Sequence, residues 1–306
     1  MSEKPRILVP VLLLSLFLLL LASCNKEDER VEEEKIKLQQ YLEQMGYTDL
    51  EPTGSGLYYV VLQPSEGESP VRSDYVNINF TGRLVDGTVF DTSDRTLAAA
   101  NNIVREDKLY GPYKFLLETM SIAGLREGLM MMKEGEIARI IIPSHLAFGQ
   151  SSVGIISPYS TLIYDVELLD VIKDPLEHEE KLLEAYLLEN GIDVEAETSG
   201  LYYIETEEGT GNLPGPENKV ALYYQGSLID GRMFDRSETG KTWTLDLNFS
   251  ANYIPGFVEG VKKMRIGTKA RLIIPSEIGF GPSGSAEGIV PPYSTLIFDV
   301  EVANIF

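Results

Sequence analysis

Two Phe-Asp pairs are the residues of this sequence that most clearly suggest a site rather than packing. Phe90-Asp91 and Phe234-Asp235 have equivalent surroundings, because position 234 repeats position 90 after 144 residues. A carboxylate beside apolar side chains is costly to bury without hydrogen-bond partners. Core packing therefore explains these pairs less well than it explains the aromatic residues around them, and each pair is a candidate for a functional site.

Composition excludes several classes of function. The chain has 26 Lys and Arg against 47 Asp and Glu, a formal net charge of −21, and a surface this acidic repels nucleic-acid backbones. The single cysteine, Cys24, can form no intrachain disulfide and no thiol cluster. Two histidines, His145 and His178, leave little for a zinc site or a Ser/His/Asp triad. We therefore expect no nucleic-acid partner and no metal.

The amino terminus has the features of an export signal. Lys4 and Arg6 are followed by the apolar run Ile7–Leu21, which is shorter than the ~20 residues that a membrane-spanning helix needs. The next residues, Leu-Ala-Ser-Cys, resemble the bacterial lipoprotein box, which implies a signal peptide over 1–23 and lipidation of Cys24.

We expect residues 24–37, which are mostly charged, to form a solvated acidic tether. Asn25 after the cysteine resembles lipoproteins sent to an outer membrane. The expected location is thus the bacterial cell envelope, with the protein held to a membrane by its lipid anchor, and the periplasmic and surface faces both stay open.

The remainder of the chain contains an internal duplication. Gly56-Leu-Tyr-Tyr recurs as Gly200-Leu-Tyr-Tyr. Between Asp91 and Tyr113, repeat one is 14 residues longer than repeat two, and we assign these extra residues to an insert within 93–112. At ~100–200 residues per domain, 306 residues predict two domains. We place domain 1 at 38–172, an acidic linker helix at 173–199 and domain 2 at 200–306.

Each repeat has mostly strand patterns. Alternating β-rich segments lead to an Asp-Gly turn, and one short helical segment interrupts the strands. An amphipathic stretch precedes each repeat and ends at Gly46 or Gly191, where a helix C-cap glycine is expected. The predicted fold is α+β, with an antiparallel sheet wrapped over one short helix in each domain and a short helix before it.

Six motifs occur in the same order in both repeats. In repeat two they are Tyr223-Tyr-Gln-Gly, Asp230-Gly-Arg-Met-Phe-Asp, Tyr253-Ile-Pro-Gly-Phe, Gly279-Phe-Gly, Gly288-Ile-Val-Pro-Pro and Leu296-Ile-Phe-Asp-Val-Glu. In repeat one they are Phe80-Thr-Gly, Asp86-Gly-Thr-Val-Phe-Asp, Ile122-Ala-Gly-Leu, Ala147-Phe-Gly, Gly154-Ile-Ile-Ser-Pro and Leu162-Ile-Tyr-Asp-Val-Glu. This arrangement resembles the FKBP-type peptidyl-prolyl isomerases over nearly all of residues 56–306.

The resemblance implies an aromatic pocket in each repeat. The residues that it implies for catalysis in repeat two are Tyr224, Phe234, Asp235, Ile254, Phe257, Phe280 and Phe298, with Trp243, Tyr253, Ile289 and Val290 also binding substrate. The matching substrate-binding residues of repeat one are Phe80, Phe90, Asp91, Tyr113, Ile122, Leu125, Phe148, Ile155, Ile156 and Tyr164.

The implied activity is cis-trans rotation about X–Pro bonds of polypeptides, without a cofactor. An amide has a rotational barrier of ~18–20 kcal/mol, and a dry aromatic pocket that prefers the twisted, less dipolar form would lower it. Asp235 would then be an orienting or polar-wall group, held by the hydroxyl of Tyr224, and the amide of Ile254 would donate to a substrate carbonyl.

Repeat one departs from repeat two at several positions. Phe80 lacks the hydroxyl that Tyr224 offers, so Asp91 loses that partner, and the insert enters beside the pocket mouth, where it could shield or extend it. Phe257 and Leu125 replace the Trp that the family commonly has there. We expect repeat two to be the stronger catalyst in folding exported proteins, and a non-catalytic chaperone or adaptor, especially through domain 1, is the alternative.

Overall fold

The computed structural model describes residues 29–286 and 288–306. The predicted signal peptide and Cys24 lie outside these residues. The described helices are α1 (29–44), α2 (Arg95–Ala100), α3 (Ala123–Met131), α4 (Pro175–Glu189) and α5 (Pro255–Lys262). The described strands are β1 (Tyr58–Gln63), β2 (Tyr75–Leu84), β3 (Val89–Thr92), β4 (Tyr113–Leu116), β5 (Ile137–Ile142), β6 (Leu162–Ile172), β7 (Tyr202–Glu207), β8 (Lys219–Leu228), β9 (Met233–Arg236), β10 (Trp243–Asp246), β11 (Lys269–Ile274) and β12 (Leu296–Ile305).

Each repeat forms one antiparallel sheet of six described strands. The first sheet has the order β1-β5-β6-β2, and β3 and β4 both pair with β2 at different residues along its length. The second sheet has the corresponding order β7-β11-β12-β8, with β9 and β10 both on β8. This α+β architecture of two similar sheets is the one that the internal duplication predicts.

A short helix packs closely on one face of each sheet because glycines face the strands. A Cβ atom on Gly256 of α5 would come within 2.6 Å of Ile274, and one on Gly260 within 2.5 Å of Leu272. Pro255 at the first turn fits the start of α5, where its missing N–H costs no hydrogen bond. The glycines thus let the helix approach the sheet and set the depth of the space beside it.

The helix that precedes each repeat covers the opposite face of the sheet. Leu38 and Leu42 of α1 pack with Ile141 and Ile163, as Leu183 of α4 packs with strand residues of the second sheet. Both helices end at the predicted glycines, Gly46 at φ 74° and Gly191 at φ 62°. No helix among the described residues is long and apolar enough to cross a membrane.

Of the acidic tether predicted over 24–37, residues 29–37 are mostly exposed, as expected, but they belong to helix α1 and do not form a tether. Charge alone suggested a solvated segment, but Glu34 is only 8% exposed. Its carboxylate accepts hydrogen bonds from the Ser144 N–H at 2.6 Å, the Ser144 hydroxyl at 2.5 Å and the Thr161 hydroxyl at 2.8 Å. A buried acid with three donors is tolerated where an unpartnered one is not, so this charged segment is anchored on the sheet.

Candidate functional site

A cavity of about 390 Å³ opens in repeat two beside α5 and β8, and is called the second cavity below. The sequence-predicted residues that line it are Tyr224, Asp235, Trp243, Tyr253, Ile254, Phe257, Phe280 and Phe298. Ala251, Asn252, Pro255 and Gly279 complete the wall. The structure therefore brings together eight residues that lie up to 74 positions apart in the sequence.

Aromatic rings form the floor and one side of the second cavity. The centroids of Phe257 and Phe298 lie 4.8 Å apart, and both side chains are buried. Trp243 meets Tyr224 and Tyr253 edge to face, with centroids 5.5 Å apart in each case. Edge-to-face rings hold one another in fixed orientations, so the wall is preformed and apolar.

Asp235 is the polar point of this wall. The Tyr224 hydroxyl donates to its Oδ2 at 2.9 Å, which is the partner that the sequence predicts, and the Arg236 N–H donates to its Oδ1 at 2.8 Å. Burial, followed by the bond to Asp235, raises the pKa of Tyr224 well above its usual range. Tyr224 therefore stays a hydrogen-bond donor, and it orients the carboxylate beside the rings.

A glycine on β8 makes room for the rings. Gly226 pairs with Asp235 of β9, and a Cβ atom here would lie 2.8 Å from both Phe234 and Phe298. Phe234 packs against Phe298 at 5.5 Å and against Phe280 at 6.5 Å but supports the wall from behind and does not line the cavity.

A buried glutamate of α4 fixes both ends of the segment that carries Phe280. Glu179 Oε1 accepts from the Ser276 N–H at 2.8 Å and from the Thr295 hydroxyl at 2.7 Å, and Oε2 accepts from the Ser276 hydroxyl at 2.5 Å. Ser276 follows β11 and Thr295 precedes β12. We call this group the Glu179 clamp, and Glu34 makes the same contacts in repeat one. Sequence reasoning missed both, although the Pro-Ser sequence after β5 and β11 and the Thr before the last strand recur in both repeats.

Besides Phe234, two further residues implied for the pocket of repeat two lie outside it. Val290 is 2% exposed and belongs to the hydrophobic core. Ile289 lines a cavity of repeat one instead, because the loop of residues 288–291 reaches across to that repeat. Sequence alignment of the repeats could not foresee this, since it carries no information about how they face each other.

The cavity of repeat one, called the first cavity below, has a volume of about 290 Å³. Of the predicted residues, those that line it are Phe80, Asp91, Tyr113, Ile122, Leu125 and Tyr164. The insert contributes Arg105, Asp107, Lys108, Leu109 and Pro112, so it forms part of the wall. Repeat two contributes Arg232, Gly288, Ile289 and Pro291.

Lys108 takes the place that a tyrosine hydroxyl has in repeat two. Its Nζ lies 2.5 Å from Asp91 Oδ1, 2.8 Å from the Thr92 carbonyl oxygen and 5.1 Å from the centroid of the Phe80 ring. Only 17% of its side chain is exposed. The sequence showed that Asp91 had lost a partner, but not that the insert supplies a cation in its place.

Four further residues implied for repeat one do not line the first cavity. Phe90 packs edge to face on Tyr164, and Phe148 packs against the core. Ile156 is buried, whereas Ile155 is 56% exposed in a turn closed by the bridge between Val153 and Ile156. Phe90, Phe148 and Ile156 therefore pack against other side chains, and Ile155 projects into solvent, so none of the four reaches the cavity.

The chain belongs to the FKBP-type peptidyl-prolyl cis-trans isomerase family, whose model matches residues 66–169 and 211–303. It is 31% identical over 233 residues to the human peptidyl-prolyl cis-trans isomerase FKBP10, covering 76% of this chain and 34% of the relative. It is 39% identical over 137 residues to the FKBP-type isomerase FkpA of Escherichia coli K12, covering 44% of this chain and 48% of FkpA. The chain thus spans about a third to a half of the length of these relatives.

Solved structures of family members also align with parts of the chain. The crystal structure of E. coli FkpA aligns with a TM-score of 0.39 and 30% identity, over 56% of this chain and 75% of that one. The three FKBP domains of wheat FKBP73 align with a TM-score of 0.34 and 21% identity, over 83% of this chain and 96% of that one.

Proposed function

We propose that this protein is a peptidyl-prolyl cis-trans isomerase that acts on proline-containing polypeptides, with the second cavity as its principal active site. The observation that carries the proposal is the preformed wall of rings around Phe257 and Phe298, with Asp235 as its polar point. Family membership supports the same activity.

The proposed mechanism uses no nucleophile and no cofactor. A planar X–Pro amide owes its barrier of ~18–20 kcal/mol to resonance, and the twisted transition state has lost that resonance and part of its dipole. A water-poor ring-lined cavity binds this less polar form better than the planar one, and each ~1.4 kcal/mol of such preference accelerates rotation about tenfold.

Individual residues have distinct roles in this proposal. The prolyl ring lies against Phe257, Phe280 and Phe298, while the N–H of Ile254, at the start of α5, donates to a substrate carbonyl oxygen. Asp235, oriented by Tyr224, provides a polar wall for the substrate backbone. None of these groups exchanges a proton, so we expect the rate to change little with pH between 6 and 8.

The test is the refolding of a protein whose slow phase is proline isomerisation, which takes tens to hundreds of seconds without a catalyst. We expect the rate of the slow phase to rise in proportion to the concentration of the chain. Phe280→Ala should reduce this acceleration at least tenfold. A slow phase that is unaffected by the wild-type chain would overturn the proposal.

A non-catalytic chaperone is the second candidate, favoured by the first cavity, whose wall includes Lys108 from the insert and Ile289 from repeat two. A holdase needs only to retain polypeptides and does not need an open pocket for a prolyl ring. Suppression of the aggregation of an unfolded protein that persists in Phe280→Ala would support this candidate, and loss of suppression together with isomerisation would exclude it.

We further propose that the protein is an envelope lipoprotein anchored through Cys24. Its association with the membrane fraction tests this anchor. The support is the short apolar run Ile7–Leu21 and the Leu-Ala-Ser-Cys sequence after it. Several acyl chains hold a protein firmly, whereas one gives only marginal binding. A Cys24→Ala variant expressed in bacteria should leave the membrane fraction, and its retention there would refute the anchor. Accessibility of the wild-type chain to protease added to intact cells would distinguish the surface from the periplasmic face.

A further inference from the structure

Both repeats build the first cavity. Phe80, Ile122 and Tyr164 of repeat one form one side, and Ile289 and Pro291 of repeat two complete the wall. A segment bound here would therefore contact both repeats at once. This inference rests on the proposed function, because it assigns the kind of substrate that the first cavity takes.

Specific contacts hold the loop of repeat two against repeat one. Arg232 Nη1 donates to the Pro112 carbonyl at 2.8 Å, and Lys114 Nζ donates to the Tyr293 carbonyl at 2.7 Å. The rings of Tyr75 and Tyr293 meet edge to face at 5.5 Å. The contacts of Tyr293, just after residues 288–291, and of Arg232, which lines the same cavity, hold repeat two against repeat one where Ile289 lines the first cavity.

The insert reinforces this arrangement. Leu109 packs against the core of repeat two while the adjacent Lys108 pairs with Asp91 of repeat one. A Cβ atom on Gly111 would come within 2.7 Å of Arg232, so the backbone of the insert lies close against that side chain. The insert thus joins the two repeats at the cavity and does not merely lie over its mouth.

The two cavities differ in how the charge of their equivalent aspartates is compensated. Among the described residues that line the second cavity, Asp235 is the one charged side chain. The first cavity has the three cations Arg105, Lys108 and Arg232, and each pairs with a carboxylate: Arg105 with Asp107, Arg232 with Asp230, and Lys108 with Asp91, the counterpart of Asp235. Among the described residues no cation pairs with Asp235, so only in the first cavity is this carboxylate neutralised.

We propose that the first cavity is a composite site, completed by Ile289 of repeat two, that accepts prolyl segments carrying an acidic residue before the proline. Neutralisation of Asp91 by Lys108 removes the repulsion that such a residue meets in the second cavity, and Lys108, which lines the first cavity, is the cation that pairs with it. The two cavities thereby divide polypeptide substrates by charge. Lys108 and Ile289 are the residues that determine this specificity.

The test uses capped tetrapeptides of sequence Ala-X-Pro-Ala, with Glu, Gln or Lys at X, titrated into the full chain. Methyl NMR signals of isoleucine report each cavity separately, because Ile122 lines the first and Ile254 the second, and the single tryptophan, Trp243, adds a second reporter for the second cavity. A partly exposed charge contact contributes up to ~1 kcal/mol. We therefore expect roughly a three- to fivefold preference for Glu over Gln at Ile122, and no such preference at Ile254.

Two variants separate the two parts of the proposal. Lys108→Ala should abolish or reverse the preference for Glu at Ile122, while Lys133→Ala, which removes an exposed lysine of repeat one, should leave it intact. Ile289→Ala should weaken binding of all three peptides at Ile122 roughly fivefold, because a bound peptide would cover the partly exposed Ile289 side chain, and burial of that much apolar surface contributes ~1 kcal/mol. Binding at Ile254 should not change in either variant.

Several results would overturn the inference. An equal gain in affinity for all three peptides in Lys108→Ala would mean that Lys108 only blocks the cavity. Unchanged affinity in Ile289→Ala would show that repeat two contributes nothing. A silent Ile122 signal with a responsive Ile254 would reject this inference and leave the proposed function standing, whereas two silent signals together with absent isomerisation would reject the proposed function itself.

Discussion

The Glu179 clamp gives a prediction whose size follows from its hydrogen bonds. Glu179→Ala removes one carboxylate that accepts three hydrogen bonds and leaves Ser276 and Thr295, which are 1% and 3% exposed, without that acceptor. Hydrogen bonds to charged groups contribute ~1.5–3 kcal/mol each, and an unpaired buried donor costs ~1–3 kcal/mol. Water that enters the vacated space can replace part of these hydrogen bonds, so we expect Glu179→Ala to lower the free energy of unfolding by about 3 kcal/mol.

Glu179→Gln provides a matched comparison. The amide oxygen can still accept from the Ser276 N–H and the Thr295 hydroxyl, and the Ser276 hydroxyl can turn to accept from the amide NH₂. The geometry is thereby kept while the charge is lost, and the expected cost is about 1 kcal/mol. Glu180→Ala removes the exposed neighbour on the same helix and should have almost no effect.

Urea unfolding followed by tryptophan fluorescence measures these differences. Trp243 is the single tryptophan and lies in repeat two, so its signal reports the repeat that contains the clamp contacts. The same samples should lose isomerase activity in the order Glu179→Ala, then Glu179→Gln, because Phe280 lies on the clamped segment. A loss of unfolding free energy in Glu179→Ala that is no larger than in Glu179→Gln or Glu180→Ala would contradict the stabilising role of the Glu179 clamp.

Three further changes test other parts of the structure. Gly256→Ala should destabilise repeat two by about 1–3 kcal/mol in urea unfolding, because the new methyl group would press α5 away from the sheet; an unchanged midpoint would contradict the close packing. Burial lowers the pKa of Lys114 from 10.5 to about 8, so the unfolded chain binds more protons between pH 8 and 10.5. The free energy of unfolding of the wild type relative to Lys114→Met should therefore rise across that window, and a constant difference would show that the amine is not buried. Tyr224→Phe removes the hydroxyl that donates to Asp235 and should lower kcat/KM roughly three- to tenfold in a peptide isomerisation assay. Tyr223→Phe is the control, because Tyr223 does not line the second cavity.

The sequence predicts the architecture well because local signals repeat. Strand alternation, the Asp-Gly turns and the glycines at 46 and 191 are readable from a few neighbouring residues, and their recurrence identifies the duplication. The ring wall of the second cavity follows from aligned motifs, and so does the Tyr224–Asp235 bond, because both partners lie within one hairpin, β8 and β9.

Contacts between distant segments were not predictable in this way. Charge density suggested a solvated tether around Glu34, yet its donors are more than 100 residues away, on Ser144 and Thr161. Lys108 acts through an insert that has no counterpart in repeat two, and Ile289 acts across the boundary between the repeats. Each depends on the relative placement of folded elements, which motif spacing does not encode.

The most direct test of the central claim is magnetisation-transfer NMR of cis-trans exchange in a short X-Pro peptide, with the full chain added in catalytic amounts. We predict that the wild-type chain and Phe306→Ala, a control at an exposed terminal ring, accelerate exchange equally, and that Phe280→Ala loses at least tenfold of the acceleration. Exchange that is no faster with the wild-type chain than without it, or equally fast with Phe280→Ala, would contradict the assignment of the second cavity as the active site.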